Sequence, residues 1–296
     1  MKSVKKIHKV SIEQIRKDYK HTLSSHAFTS FYLWQHAMRL EVKCEEDFFV
    51  AKSGIHGKNA WFFPCGNEQK KYDFICEHIE EADFSFAYMR TEDVEWLESK
   101  FPDKWEFHHT EESDEYIGNI AEYISLEGSK FSEIRRKIRK IDKEYQIKTA
   151  LITDKNIIDA MVVVSKWRKV HSACESTSAA FGESSCLEDN NVAEIALSER
   201  EFLDVSGIIL YANDEPVCVF AGFPLSEDTL DVVIGKAVSD APKGIAYYGL
   251  REYLKLCGTG YTYCNHEEDL GIPGIRQMKN SLCPVFKVSI WEAVLK

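Results

Sequence analysis

Apolar residues recur at Phe131, Ile134, Ile138, Ile141 and Tyr145, at spacings of 3, 4, 3 and 4. That period puts them on one helix face. A second helix is expected from Ser11-Ile12-Glu13-Gln14, an S-x-x-Q capping pattern, with Ile12, Ile15 and Tyr19 facing inward. Shorter apolar runs bounded by turn residues read as strands at 47–52, 59–64, 84–89 and 105–108, with helices at 68–79 and from Thr91 to near Phe101. Glycines in the linker 53–57 suit a hairpin between the first two strands.

Past residue 146 the pattern becomes regular. A strand (146–151) leads to a helix (155–170), a serine-rich loop (172–186) and another helix (191–202). Strands follow at 207–211, 216–223 and 229–236, with turns at Asn213-Asp214-Glu215 and 225–228. A helix (245–256), a strand (261–263), a short helix (274–281) and a strand (285–290) close the chain. The order β-α-α-β-β-β-α-β-α-β is that of the GNAT (acyl-CoA N-acyltransferase) fold. The fold class expected is therefore α/β, mixed central sheets flanked by helices, with a GNAT-like arrangement in this half and a small α/β unit before it. The boundaries expected are 1–115 for an N-terminal domain, 116–145 for a connecting segment with the basic helix, and 146–296 for the C-terminal domain.

Composition adds limits. Apolar residues make up 44% and charged residues 29% of 296 positions, as in globular proteins. No run of 18 apolar residues occurs, so no bilayer span is expected. The lysine-rich start lacks an apolar stretch behind it and is not a secretory signal, so a cytoplasmic location is expected. The cysteines number nine and form no C-x-x-C pair, which speaks against a disulfide framework or a zinc ribbon. His108-His109 would point to opposite strand faces and make a poor metal pair, so no metal is expected.

Net charge is −11, which does not invite non-specific nucleic-acid binding. Between Gly128 and Lys143 the balance reverses. Lys130, Arg135, Arg136, Lys137, Arg139, Lys140 and Lys143 stand against Glu133 and Asp142, a local +5. This is either a solvated helix face or an anchor for a phosphate-rich partner such as tRNA.

Candidate chemistry gathers in the stretch from Asn265 to Pro284. Acids Glu267, Glu268 and Asp269 precede a Gly271-Ile272-Pro273-Gly274 turn, and Arg276 and Lys279 share a face of the helix behind it. A salt bridge from Asp269 to Arg276 would close the turn. Asn265, Glu267 or Glu268, Asp269, Leu270, Gly271, Gly274, Ile275, Arg276, Lys279 and Ser281 resemble the signature of the phosphatidylglycerol lysyltransferase C-terminal domain family. Isoleucine stands at 275 for leucine, and Leu282 for a tyrosine. Glu115-Tyr116-Ile117-Gly118 and the residues through Phe131 resemble that family's approach to its basic helix.

The resemblance implies two tandem GNAT-like domains joined through the basic helix, related to Fem-type aminoacyltransferases and acting without a cofactor. Its donor would be aminoacyl-tRNA. An acyl-CoA donor is the alternative, although the usual phosphate loop of acetyltransferases is reduced to Lys243-Gly244-Ile245-Ala246. By the same resemblance Lys236 is a strand-end lysine that holds a phosphate or the donor carbonyl. Glu268 or Asp269 holds an amino group or acts as base. Asn265, Arg276, Lys279 and Ser281 bind substrate, and Lys130, Arg135, Arg136, Arg139 and Lys140 bind tRNA phosphates. The membrane part that accompanies lipid-modifying members has no counterpart here. The acceptor stays open among a small amine, a peptide and a lipid headgroup, and a catalytically inactive binding module is the reading from another class.

Overall fold

The computed structural model describes residues 1–54, 59–171 and 186–296. The chain divides into two units: Met1–Glu115 with Val288–Lys296, and the described residues from Tyr116 to Lys287.

In the first unit the elements are β1 (Lys2–Ser3), α1 (His8–Asp18), α2 (Phe28–Trp34), β2 (Glu41–Cys44), β3 (Phe48–Ser53), β4 (Asn59–Phe62), β5 (Cys65–Gly66), α3 (Glu68–His78), β6 (Phe84–Met89), α4 (Thr91–Lys100) and β7 (Trp105–His109). The last strand of the chain, β15 (Trp291–Leu295), completes this sheet between β6 and β7. The strand order is β1-β2-β3-β4-β6-β15-β7, with β5 against β3. Only β4 and β6 pair in parallel among the ladders described here. Alternate residues of β6, Phe84 and Phe86, enter an aromatic core with Trp61, Phe63, Phe74 and Trp105.

Two expectations change. Helix α1 starts before Ser11, because the Lys5 N–H donates to His8 Nδ1 (3.2 Å) and the Lys5 and Lys6 carbonyls accept from His8 and Lys9. Tyr19 lies 39% exposed, while Ile12 and Ile15 are buried as expected. Strand β15 went unread, although Trp291, Ala293 and Leu295 alternate toward the core.

The second unit contains β8 (Glu115–Asn119), α5 (Ile120–Ser125), α6 (Ser132–Glu144), β9 (Ile147–Leu151), α7 (Ile157–His171), α8 (Cys186–Ser198), β10 (Ser206–Ala212), β11 (Glu215–Pro224), β12 (Thr229–Ala237), α9 (Ile245–Cys257), β13 (Tyr263–Asn265), α10 (Pro273–Ser281) and β14 (Phe286–Val288). Its sheet runs β14-β8-β13-β12-β11-β10-β9. The hairpin between β10 and β11 turns on Asn213 and Asp214, with φ of 51° and 71°, values that Asn and Asp tolerate best after glycine. The strand expected at 261–263 is displaced to Tyr263–Asn265. The Thr262 and Tyr263 N–H groups donate instead to the Asp228 carbonyl (2.8 and 2.9 Å), which ties this stretch to the β11–β12 turn. The serine-rich loop lies outside the described residues, as do the side chains of His171 and Cys186.

Candidate active site

Strands β12 and β13 run parallel, and their pairing covers Thr229–Asp231 against Tyr263–Asn265. Strand β12 then continues to Ala237, while the chain after Asn265 turns into the acidic loop. The sheet therefore opens beyond this short ladder. Where Ala221 and Phe223 of β11 meet Ile234 and Asp231 of β12, three steps on one strand face two on the other, a β-bulge. The bulge resets the alternation, so Asp231, Ile234 and Lys236 share a face. Lys236 ends up 4% exposed, with its Nζ 3.8 Å from the Trp167 ring centroid of α7. A cation on an indole face is held by the ring's electron density.

The acidic loop is shaped by its own polar groups. The Asn265 side chain, fully buried, accepts from the Glu267 N–H at 2.7 Å. Asp269 is 0% exposed and takes part in four hydrogen bonds: from Tyr116 Oη (2.6 Å), the Gly271 N–H (2.9 Å), and Arg276 Nε and Nη2 (2.8 and 2.9 Å). Those donors hold its carboxyl below the usual range against the opposite pull of burial. The Tyr116 hydroxyl is pushed up by burial and by Asp269, and Lys287 lies 4.4 Å from its ring centroid. Arg276 is 40% exposed, so its guanidinium also reaches the surface.

Lys279 points the other way, into the loop. Its ammonium donates to the carbonyls of His266 (2.5 Å), Glu267 (3.1 Å) and Glu268. Burial lowers the Lys279 pKa and raises that of Glu268, although each charge favours the other. A carboxylate raised in this way is a better proton acceptor near neutral pH than one held low, such as Asp269. Behind the loop His266 is buried, its pKa lowered to about 3, with Nε2 at 3.3 Å from Cys264 Sγ. Burial pushes that thiol far up, so it is no nucleophile. The Ser281 hydroxyl donates to the Met278 carbonyl (2.7 Å) and lies 2.8 Å from Tyr247 Oη.

The expected phosphate-binding residues divide into two groups. Four are engaged within the chain. Lys130 pairs with Glu122 (2.7 Å), Arg136 with Glu133 (2.6 Å) and Lys140 with Glu144 (3.8 Å), while Arg135 donates to the Leu126 and Gly128 carbonyls. Arg139, the fifth, is exposed and pairs with no carboxylate among the described residues; Lys143, outside the expected set, is alike in both respects. Helix α6 packs beside the start of α9: a Cβ on Gly244, at φ 97°, would meet Lys137 Cβ at 2.9 Å. Gly244 gives α9 no side-chain cap; the Ile245 N–H donates to the Pro242 carbonyl (2.9 Å) and the Tyr247 N–H to that of Gly244 (3.1 Å), with Lys243 in this turn.

Sequence reasoning missed three partners: Tyr116 for Asp269, Trp167 for Lys236 and Tyr247 for Ser281. Tyr116 and Asp269 are 153 residues apart, and no local pattern joins them.

Fold and site together define a protein of two tandem GNAT-like domains, each a mixed sheet with one parallel opening. The chain belongs to the phosphatidylglycerol lysyltransferase, C-terminal family, whose family model matches residues 16–291. Among solved structures, a conserved protein of unknown function from Bacteroides thetaiotaomicron VPI-5482 is similar at a TM-score of 0.88 and 24% identity, over 100% of this chain and 99% of that one. L-PGS from Bacillus licheniformis is similar at a TM-score of 0.65 and 13% identity, over 96% and 90%. FemX follows at a TM-score of 0.57 and 6% identity, over 97% and 95%. No curated protein matches the chain. Among the described residues no helix is long and apolar enough to cross a membrane.

Proposed function

We propose that this protein is an aminoacyltransferase that moves an aminoacyl group from aminoacyl-tRNA to an amine or hydroxyl acceptor. The observation that carries the reading is the family match over residues 16–291, in a chain whose acidic signature loop is ordered around Glu268 and Lys279. Glu268 takes the proton of the acceptor. The acceptor nitrogen or oxygen bonds to the ester carbonyl carbon, the bond to the ribose oxygen breaks, and that oxygen leaves with a proton. Lys236, at the end of β12, faces the carbonyl as its oxygen gains charge. Asp269, Arg276 and Lys279 hold the loop in place, and Arg276 also presents donors toward the surface. The exposed cations Arg139 and Lys143 offer a track for tRNA phosphates. Such a donor puts the reaction in the cytoplasm.

A second reading is a binding module without turnover. It is favoured by the complete set of partners around Asp269 and around the Lys279 ammonium, which leaves both groups committed to the loop.

Titration calorimetry with charged tRNA and with acetyl-CoA, each at two salt concentrations, tests both readings. Wild type is compared with Arg139→Glu/Lys143→Glu and with Lys236→Ala. The transferase reading expects saturable tRNA binding whose dependence on log salt flattens by about 1.5 in the double variant, from about 0.7–0.9 per lost phosphate contact. It expects Lys236→Ala to bind tRNA and fail to transfer. Binding of acetyl-CoA alone would make the protein an acyl-CoA enzyme. Binding of neither would leave the module reading.

A further inference from the structure

A polar cluster in the first unit takes no part in the site above. It lies where the parallel strands β4 and β6 part company. The Phe63 N–H donates to the Ala87 carbonyl (3.1 Å), after which one chain runs to Cys65 and the other to Arg90. The loop between α1 and α2 brings two histidines to this place. Their rings lie with centroids 4.1 Å apart and planes tilted by 33°. His26 is satisfied: Nε2 donates to the Phe63 carbonyl (2.8 Å) and Nδ1 accepts from the Ser25 hydroxyl (3.1 Å). His21 is 4% exposed, and neither of its ring nitrogens has a hydrogen-bond partner.

Cations surround that ring. Arg90 Nη1 donates to the carbonyl of Lys20, the residue before His21 (3.4 Å). Arg16 Nη2 donates to the Leu23 carbonyl (3.5 Å), and the Arg16 carbonyl accepts from the His21 N–H (2.8 Å). Lys71 lies over the Trp96 ring at 4.6 Å and 6.0 Å from the Phe63 ring centroid. Arg90, Arg16 and Lys71 all act electrostatically on His21. The nearby carboxylates are committed: Asp93 holds Arg90 through two side-chain bonds (2.9 and 2.8 Å), and Glu13 holds Arg16 (2.5 Å). Lys71 forms no ion pair among the described residues, and Trp96 Nε1 is buried without a partner.

The place is thus rich in donors and short of acceptors. A neutral imidazole needs a partner for its N–H, the indole N–H needs an acceptor, and a half-buried ammonium needs a counter-charge. Buried polar groups in folded proteins are nearly always paired. A small anion with several oxygens answers needs of this kind, and Lys71 links the cluster: it lies over the Trp96 ring and acts electrostatically on His21. We propose that the His21, Lys71 and Trp96 cluster, flanked by Arg16 and Arg90, binds the phosphate or carboxylate group of a small ligand in the first unit. Phosphate and carboxylate share the chemistry required: negative charge and two or more acceptor oxygens within reach of fixed donors.

The test follows the His21 ring resonances of the full-length protein by NMR during titration with sodium phosphate and, separately, sodium acetate. Ionic strength is held constant with sodium chloride. The expected result is a saturable shift, weakened at least tenfold in Lys71→Met, lost in His21→Phe when binding is followed by calorimetry, and kept within about threefold in Lys71→Arg, because binding needs the charge at that position. Lys71 is half-buried at the rim, so Lys71→Met is expected to fold even if His21→Phe does not. Tighter binding of phosphate would identify a phosphoryl ligand and tighter binding of acetate a carboxylate. Shifts no larger than those of sodium chloride alone, or equal affinity in Lys71→Met and wild type, would overturn the proposal and leave His21 solvated by water. The tRNA titration of Lys71→Met, run alongside, reports on the transferase reading separately.

Discussion

In the first unit the parallel strands β4 and β6 diverge at Phe63, and Arg90 and Asp93 mark the start of α4. In the second unit β12 and β13 diverge at Asp231, and Asp269 and Arg276 bracket the start of α10. Each opening thus has an arginine–aspartate pair, in opposite chain order. In the first, the aspartate lies inside the helix and accepts from the Arg90 N–H (2.9 Å), an ordinary helix start. In the second, the aspartate precedes the helix and anchors a loop that contains Glu267 and Leu270 at φ 56° and 55°. Non-glycine residues in that region cost energy and need support. Tyr88 of the first unit is similar at φ 54°, but it is held by stacking on Phe62 (4.5 Å). The first unit supports its strained residue with an aromatic ring. The second supports its strained loop with an ammonium on three carbonyls, which fixes the backbone from His266 to Glu268.

Acid should separate the units most. His21 and His26 in the first, and His266 in the second, are buried and have pKa values below the ordinary 6.5. The unfolded chain therefore binds more protons than the folded one below pH 6.5. Their contribution to stability is complete above that value and falls as pH drops toward the folded pKa. For His26, at about 4, the loss amounts to about 3 kcal/mol by pH 4. With two such groups against one, amide exchange at pH 4.5 should rise more in the first unit than in the second. Equal loss would break the contrast. Asp269, with its depressed pKa, adds stability that persists until the pH falls below the ordinary carboxylate range.

Truncation of the two aspartates comes next. Asp269→Ala leaves Tyr116, the Gly271 N–H and Arg276 without their acceptor. It should cost about 3 kcal/mol in urea unfolding, less than a fully buried pair because Arg276 is partly exposed. Asp93→Ala should cost less, since it removes a helix-start contact and leaves Arg90 with Glu92 at 3.0 Å. A larger loss at Asp93 would reverse the comparison.

The smallest effect should come from the lysines. Lys279→Met removes a donor from three carbonyls and is expected to cost about 2 kcal/mol, with faster amide exchange through 266–271. Lys71→Met keeps its contact with Trp96 and loses no ion pair, so it should change stability by less than about 1 kcal/mol.

Much of the second unit could be read from the chain. The apolar spacing of α6 is borne out by buried Ile134, Ile138 and Ile141, with buried Phe131 in the turn before the helix, while Tyr145 follows it in extended backbone and is only half-buried; the Asn213-Asp214 turn joins the strands it was expected to join. The Asp269–Arg276 contact was foreseeable, because both residues flank one tight turn. Lys236 shows the limit. Its place at a strand end was legible, but its packing on Trp167 depends on a bulge that no residue type announced. Arg135, expected from composition to meet phosphate, donates to the carbonyls of the turn before its own helix, contacts that composition did not announce.

By itself the sequence determined most elements of the second unit, their order there and the turn that carries the acidic loop. Helix period, strand alternation and turn preference act over a few residues, so a few residues suffice to read them. Tertiary structure decided that the last strand enters the first sheet between β6 and β7, which face Asp231 and Lys236 share, and which tyrosine meets Asp269. These depend on register and on packing between residues far apart in the chain, where one added residue in a strand exchanges its two faces.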